Sequence, residues 1–388
     1  MKRIIIIICL LCFVCIPTWA ETLRVGSNGD DVLAVKRRLY ELNYIRTDKL
    51  TRQYTEDTAA RIARFQQANG LPETGEVDDV TAAALFSADA MEAPHATMLP
   101  AATPAPVAQP DWPARDADGY LADAGEYFYE NDQDGLWAYL SADLQITITR
   151  VSDSRIGLEW FETEIIARND QQLRTVVTDR EHLDKGFLLP EDVAQKNRFV
   201  LAFSDDFYGN RIVKKETVGV IIRNGQILSQ KTNAGTGTHL PNLDMMAQFP
   251  DGILRVYDCN ECDAQTLLDQ GAINVFSFGP WLIRDGKINE LIYENFKSKE
   301  PRHALGMIEP GHYFVLSMEG RNSASTGTTL QRVAEIMRSK GVTQALNLDG
   351  GNTMAVVFHG KMLNQLAVYD GKKFVRKVPS MIGIGTYQ

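Results

Sequence analysis

Val32, Val35, Leu39 and Leu42 recur at helical spacing behind the Gly- and Asp-rich start of LRVGSNGDDVLAVKRRLYELNY, and the pattern predicts a short helix. In TEDTAARIARFQQANGLPETG, Ile62 and Phe65 share one helical face and Gly70 supplies a stop, while VDDVTAAALF makes a third small helix. Three short helices so close together form a small bundle, spanning residues 21–87, whose apolar positions are its core. Periodicity then lapses. Residues 88–116 hold six prolines among many alanines, a composition that keeps a linker extended.

Residues 117–388 read differently. Short β-rich runs flank turn dipeptides at Asn224-Gly225, Asp285-Gly286 and near Gly360, and such dipeptides between apolar runs predict hairpins. Helix-like stretches, DAQTLLDQG and TTLQRVAEIMRSKG, lie between them. The expected fold is α+β: a three-helix bundle, a Pro/Ala-rich linker, and a mixed β-sheet domain with helices and several hairpins.

Within that domain, the strand YFVLSM, the polar loop EGRNSASTG, a helix and the strand TQALNL compose a strand–crossover–strand unit. Leu330, Val333 and Met337 form the helix stripe, Thr328 or Thr329 offers an N-cap, and Gly341 ends it. Parallel strands in one sheet would bring Glu319 and Asp349 to one rim. Alternation turns Asn347 and Asp349 to the face opposite Leu346 and Leu348. Gly350 and Gly351 follow, and without Cβ atoms they let main-chain N–H groups approach an anion. Asp-Gly-Gly is equally an ordinary turn between strands, and Glu319-Gly320-Arg321 an ordinary surface loop, so spacing alone leaves both readings open.

Composition adds limits. The 388 residues are 44% hydrophobic and 23% charged, enough for two or three domains with a real core. MKRIIIIICLLCFVCIPTWA has the basic start, apolar stretch and small final residue of a secretory signal over residues 1–20, with an uncleaved anchor as the alternative. Removing it takes away Lys2 and Arg3 and moves the formal charge of −10 further negative, which argues against nucleic acid as partner. The expected location is extracellular, with no membrane span after cleavage. Of five cysteines, Cys259 and Cys262 in YDCNECDAQ lie outside the signal, and a local disulfide staple is the expectation for an exported chain. The six histidines form no spaced metal motif, and neither a nucleotide fingerprint nor a nucleophile elbow is present.

Two resemblances rest on quoted residues. LRVGSNGDDV, Phe65-Gln66, Asn69 to Leu71, Gly75 and Thr81 resemble the peptidoglycan-binding module of the PG_binding_1 type, with Lys36 and Arg37 standing where that family usually has Leu and Gln. KKETVGVIIRNGQIL, FSFGPWLIRDGKI, EPRHALGM, MEGR, ALNLDGGNTMAVV and VRKVPSMIGIG together resemble the phosphodiester glycosidase family, which includes the uncovering enzyme that removes N-acetylglucosamine from a phosphodiester. FSDDFYG departs from it, because Ser204 and Asp205 replace the usual Asn-Gly, and Asn352-Thr353 follow the Asp-Gly-Gly.

The resemblance implies hydrolysis of a sugar-1-phosphodiester in a wall or extracellular polysaccharide, with peptidoglycan or wall glycan and a phosphate-containing carbohydrate as partners. Arg302 and Arg321, with the Gly350 and Gly351 amides, would hold the phosphate. Asp349 and Glu319 would supply the carboxylates. Asn347, Thr353, Ser204, Asp205, Asp206, Lys215 and Glu216 complete the expected substrate contacts. Asp205 and Asp206 read as solvated unless a divalent cation gathers them with another oxygen ligand; no metal ligands and no cofactor are otherwise implied. Two rivals stand: a non-catalytic wall-attached protein that grips phosphorylated glycans, supported by FSDDFYG, and a phosphodiesterase attacking phosphorus, which would require two metals.

Overall fold

The computed structural model describes residues 22–42, 44–45, 50–87, 89–91, 112–168, 172–179, 186–206, 219–231, 243–296, 298–369 and 371–387. The expected signal segment, most of the linker, and Lys215 and Glu216 lie outside these residues. The chain divides into two compact units, residues 1–98 and 99–388.

In the first unit, α1 (Asp30–Glu41) opens with two aspartates at its positive end. Thr55 caps α2 (Glu56–Ala68) in a reciprocal exchange with Thr58, and Asp78 caps α3 (Asp79–Leu85) by accepting the Thr81 N–H at 2.8 Å. Val32, Val35, Leu39, Ile62, Phe65 and Leu85 pack into one core. Gln66, buried between them, donates to Thr74, Thr81 and the Glu76 carbonyl and accepts the Gly75 N–H, so three residues that carry the sequence resemblance meet in one hydrogen-bond knot. Lys36 is part of this architecture as well: its ammonium donates to the Gln53 carbonyl at 2.6 Å and the Thr51 hydroxyl at 3.1 Å, and burial lowers its pKa.

The second unit is α+β. Its strands, in chain order, are β1 (Tyr127–Asn131), β2 (Leu136–Leu140), β3 (Leu144–Asp153), β4 (Leu158–Ala167), β5 (Arg174–Val177), β6 (Leu201–Phe203), β7 (Gly219–Arg223), β8 (Gln226–Lys231), β9 (Asp244–Gln248) and β10 (Leu254–Tyr257). They continue with β11 (Asn274–Phe278), β12 (Trp281–Arg284), β13 (Lys287–Ile288), β14 (Arg302–Glu309), β15 (His312–Met318), β16 (Gln344–Leu348), β17 (Val356–Phe358), β18 (Lys361–Met362), β19 (Val368–Tyr369), β20 (Lys372–Lys373) and β21 (Ser380–Ile384). The described helices are α4 (Pro190–Lys196), α5 (Ala264–Asp269), α6 (Leu291–Asn295) and α7 (Leu330–Ser339).

A nine-stranded sheet has the order β1-β2-β3-β4-β15-β14-β16-β12-β13; two five-stranded sheets run β10-β9-β11-β7-β8 and β18-β17-β6-β21-β5. The three dipeptide turns form hairpins because Asn224, Asp285 and His359 accept positive φ ahead of glycine. One face of the large sheet packs against both smaller sheets, joining Phe161, Leu305 and Leu346 with Phe203, Met246, Phe276 and Phe358. Its other face takes α7, whose Leu330, Val333 and Met337 pack on Ala304, Leu316 and Met318. Thr329 is the N-cap, accepting the Arg332 N–H, and Gly341 follows the helix with φ 83°.

Gly306, near the centre of β14, admits α7 closely: a Cβ there would lie 2.5 Å from Val342 Cγ1 and 2.9 Å from Met337 Cε and the Gln344 carbonyl oxygen. Gly306→Ala is expected to lose about 1–3 kcal/mol of stability by overpacking, read as a lowered urea midpoint with unchanged slope.

Candidate active site

β14 lies between β15 and β16 and is antiparallel to each, so β15 and β16 run parallel to one another with β14 between them. The tips predicted to share an edge do share it, but the strands are not neighbours. β14 and β15 form a hairpin, and the crossover through α7 carries the chain over β14 to its far side. Register places Met318 opposite Arg302 and Leu348 opposite His303. Glu319 and Asp349 therefore emerge on either side of Pro301 and Arg302, two strand intervals or about 10 Å apart along the backbone.

The side chains at this rim differ in environment. Glu319 is fully buried; its Oε1 accepts the Gln365 N–H at 2.7 Å and its Oε2 the Asn322 amide at 3.0 Å. Burial raises its pKa against those two bonds. Asp349 is half-buried and donates its N–H to the Asp205 carbonyl at 3.2 Å. Arg302 donates from Nε to the Thr328 carbonyl at 3.3 Å and from Nη2 to Ser298 O at 2.9 Å and Ser298 Oγ at 3.2 Å. Burial pulls its pKa down to about 10, with Glu300 opposing and Arg321 assisting. Among the described residues its Nη1 makes no hydrogen bond. Arg321, at φ 54°, is clasped by Glu300, which accepts from its Nε at 2.8 Å and also from Nη2.

Gly350 fits where a Cβ would sit 2.4 Å from the Pro301 carbonyl oxygen, and the Gly351 N–H is given to that carbonyl at 3.3 Å. The Asp-Gly-Gly segment is thus locked against the start of β14. Thr353 receives Arg376 Nη1 on its hydroxyl at 3.2 Å, which brings a third arginine to the segment. Asn347 is buried, donates to the Gly279 carbonyl at 2.7 Å and leaves its Oδ1 without a hydrogen-bond partner among the described residues.

Asp205 and Asp206 are not solvated as expected; both are buried. Asp206 accepts Arg223 Nη2 at 2.8 Å on Oδ1 and the Ser277 N–H at 2.9 Å on Oδ2, while Arg223 also lies 3.6 Å from Asp205 Oδ2. The guanidinium that meets these charges comes from β7 and lies 4.8 Å from the centre of the Phe276 ring. Ser204 is equally committed: its hydroxyl donates to the Thr353 carbonyl at 2.6 Å and accepts the Ala355 N–H at 2.7 Å. The sequence held one signal for this cluster, a charged residue at the end of the apolar run VGVIIR before its turn.

His303 ties these parts together. Nε2 faces the Ser204 carbonyl at 3.1 Å, which can only accept, so Nε2 carries the proton and Nδ1 accepts from the Ser317 hydroxyl at 2.9 Å. Burial holds its pKa at about 4, leaving a neutral ring at neutral pH.

Residues 197–385 match the phosphodiester glycosidase family, and residues 28–85 match the peptidoglycan binding domain family. The chain carries a phosphodiester glycosidase domain. A curated relative is the SPbeta prophage-derived uncharacterized protein YomE of Bacillus subtilis strain 168, 26% identical over 248 residues that make up 59% of this chain; the chain spans 37% of that relative's length. Among solved structures, the zebrafish N-acetylglucosamine-1-phosphodiester alpha-N-acetylglucosaminidase catalytic domain, auto-inhibited by its pro-peptide, aligns with TM-score 0.48 and 18% identity over 68% of this chain and 88% of that one. A hypothetical protein from Synechocystis aligns with TM-score 0.41 and 14% identity over 63% of this chain and 62% of that one.

Asp244, Asp258 and Cys259 bring donor atoms within 4.8 Å of one another. Asp244 spends its oxygens on the N–H groups of Cys259 at 3.0 Å and Trp281 at 2.9 Å. The expected staple is not formed: Cys259 and Cys262 are free thiols, both with pKa raised by burial, Cys259 to about 11. Among the described residues no helix is long and apolar enough to cross a membrane.

The neutral His303 predicts a pH dependence. The unfolded chain takes up its proton near pH 6.5 and the folded one only near pH 4, so the stability this residue contributes is lost as pH falls through that window, at up to about 1.4 kcal/mol per unit. Asp244, raised to about 6 by burial, works in the opposite sense, adding relative stability as pH falls from 6. His303→Gln should therefore gain stability relative to the parent as urea unfolding is repeated from about pH 6.5 down to about pH 4.5; parallel profiles would remove the assignment.

Proposed function

We propose that the protein is a secreted, wall-associated hydrolase that cleaves the bond between a sugar anomeric carbon and a phosphodiester oxygen. The observation that carries this reading is the placement of Arg302 between the tips bearing Glu319 and Asp349, inside a phosphodiester glycosidase domain. The peptidoglycan binding domain supports delivery to a wall glycan.

A phosphodiester is already a good leaving group, so charge placement matters more than strong acid assistance. Arg302, with its free Nη1 and its partly stripped hydration, suits an oxygen that gains negative charge as the bond to C1 breaks. Asp349, the half-exposed carboxylate of the rim, is assigned to the oxocarbenium-like carbon, where it takes a proton from the water whose oxygen bonds to C1. The electron pair of the broken bond leaves with the phosphate. Glu319, whose oxygens are both held by N–H donors, is assigned to positioning: it fixes the loop through Asn322 that carries Arg321. Arg376 and Thr353 extend the cationic lining.

Hydrolysis of a synthetic sugar-1-phosphodiester in water enriched with heavy oxygen should place label in the sugar. Label in the phosphate, or no turnover at all, would overturn the reading. Asp349→Asn should lower kcat by roughly 100- to 10,000-fold and Arg302→Ala by roughly 100- to 1,000-fold, each with an unchanged far-ultraviolet circular dichroism spectrum.

A further inference from the structure

A separate cavity of about 310 Å³ opens beside the rim, between the turn from β3 to β4, the segment before β14, and the first turns of α7. Ile156 and Leu158 form an apolar wall, and Thr328, Thr329, Lys299 and Arg332 provide the polar lining. The lining holds two cations and one carboxylate, Glu335, which already accepts the Gln331 amide at 2.7 Å. Nε of Arg332 is buried and, among the described residues, has no hydrogen-bond partner. The nearby Asp153 is bound by Arg155 at 2.9 and 3.0 Å, with Arg332 close enough to help hold its carboxyl low.

One hydrogen bond links the lining of this cavity to the candidate active site. The Thr328 carbonyl that lines one accepts from Arg302 Nε at the other, and Lys299 lies between Ser298, which holds Arg302, and Glu300, which holds Arg321. We infer that this cavity is a second anion subsite, taking the next phosphodiester of a polymeric substrate while its apolar wall packs against the intervening sugar. The inference rests on the hydrolase reading and adds a substrate class to it: a glycan with consecutive phosphodiester links, bound at two phosphates, with only one of them at the reacting carbon. The volume suits one phosphorylated sugar unit.

The test compares a monomeric nitrophenyl sugar-1-phosphodiester with a polymer of repeating sugar-1-phosphodiester units on the full chain. In the double variant Lys299→Ala with Arg332→Gln, KM for the polymer should rise roughly tenfold, about 1.4 kcal/mol, with kcat and the monomer KM unchanged; Glu335→Gln should lower the polymer KM. Calorimetric titration of the polymer into Asp349→Asn, with and without the double change, reads the same subsite without turnover. Equal loss for monomer and polymer, or no change in polymer affinity, overturns the subsite. Failure of the parent to turn over either compound strikes the hydrolase reading instead, and the titration still decides whether the cavity holds an anionic chain. Lys299→Ala alone, at an exposed position, guards against a folding defect in the double variant.

Discussion

The candidate rim depends on a strand whose two edges are both taken at its first residues. Because β14 is hydrogen-bonded to β15 on one side and β16 on the other, the chain leaving each neighbour must emerge beside Pro301 and Arg302. Antiparallel pairing alone would alternate strand ends between the two rims of the sheet. Two antiparallel pairings to β14 give β15 and β16 a common direction; the α7 crossover carries the chain from one edge of β14 to the other, and the apolar stripe that seats α7 on Ala304, Leu316 and Met318 makes that crossover stable. Packing on one face thus fixes chemistry at the edge.

The opposite face adds a second fastening. Ser204 meets the ladder through His303 and the segment after Asp349 through Thr353 and Ala355, while Asp205 accepts the Asp349 N–H. Holding the two carboxylates of Asp205 and Asp206 in the interior requires a counter-charge, and Arg223 provides it from β7. Removing one member of such a buried set leaves a desolvated charge behind, a costlier event than the pairing itself is favourable. The substitution of Ser-Asp for Asn-Gly in FSDDFYG is, structurally, a matter of internal bracing.

Much of this was legible in the sequence because it was local. The dipeptides at Asn224-Gly225 and Asp285-Gly286 and the stripe Leu330, Val333, Met337 announce hairpins and a helix through periodicity and backbone preference. The shared edge of Glu319 and Asp349 followed from a strand–crossover–strand pattern, although the pattern could not reveal that β14 sits between them, since strand order is a long-range property. Nor could it reveal burial. Asp205 and Asp206 look like solvated residues until Arg223 arrives from another sheet, and Arg376, within VRKVPSMIGIG, meets Thr353 only through the tertiary fold. Compartment chemistry predicts a staple between Cys259 and Cys262 but says nothing about how an Asp244 carboxylate holds the backbone of their turn.

Arg302 carries one further implication. Its Nε and Nη2 are held by the Thr328 carbonyl and by the carbonyl and hydroxyl of Ser298, so the guanidinium plane is set by its own domain. An arginine fixed in this way loses little side-chain entropy on meeting a partner, because its rotamers are already set.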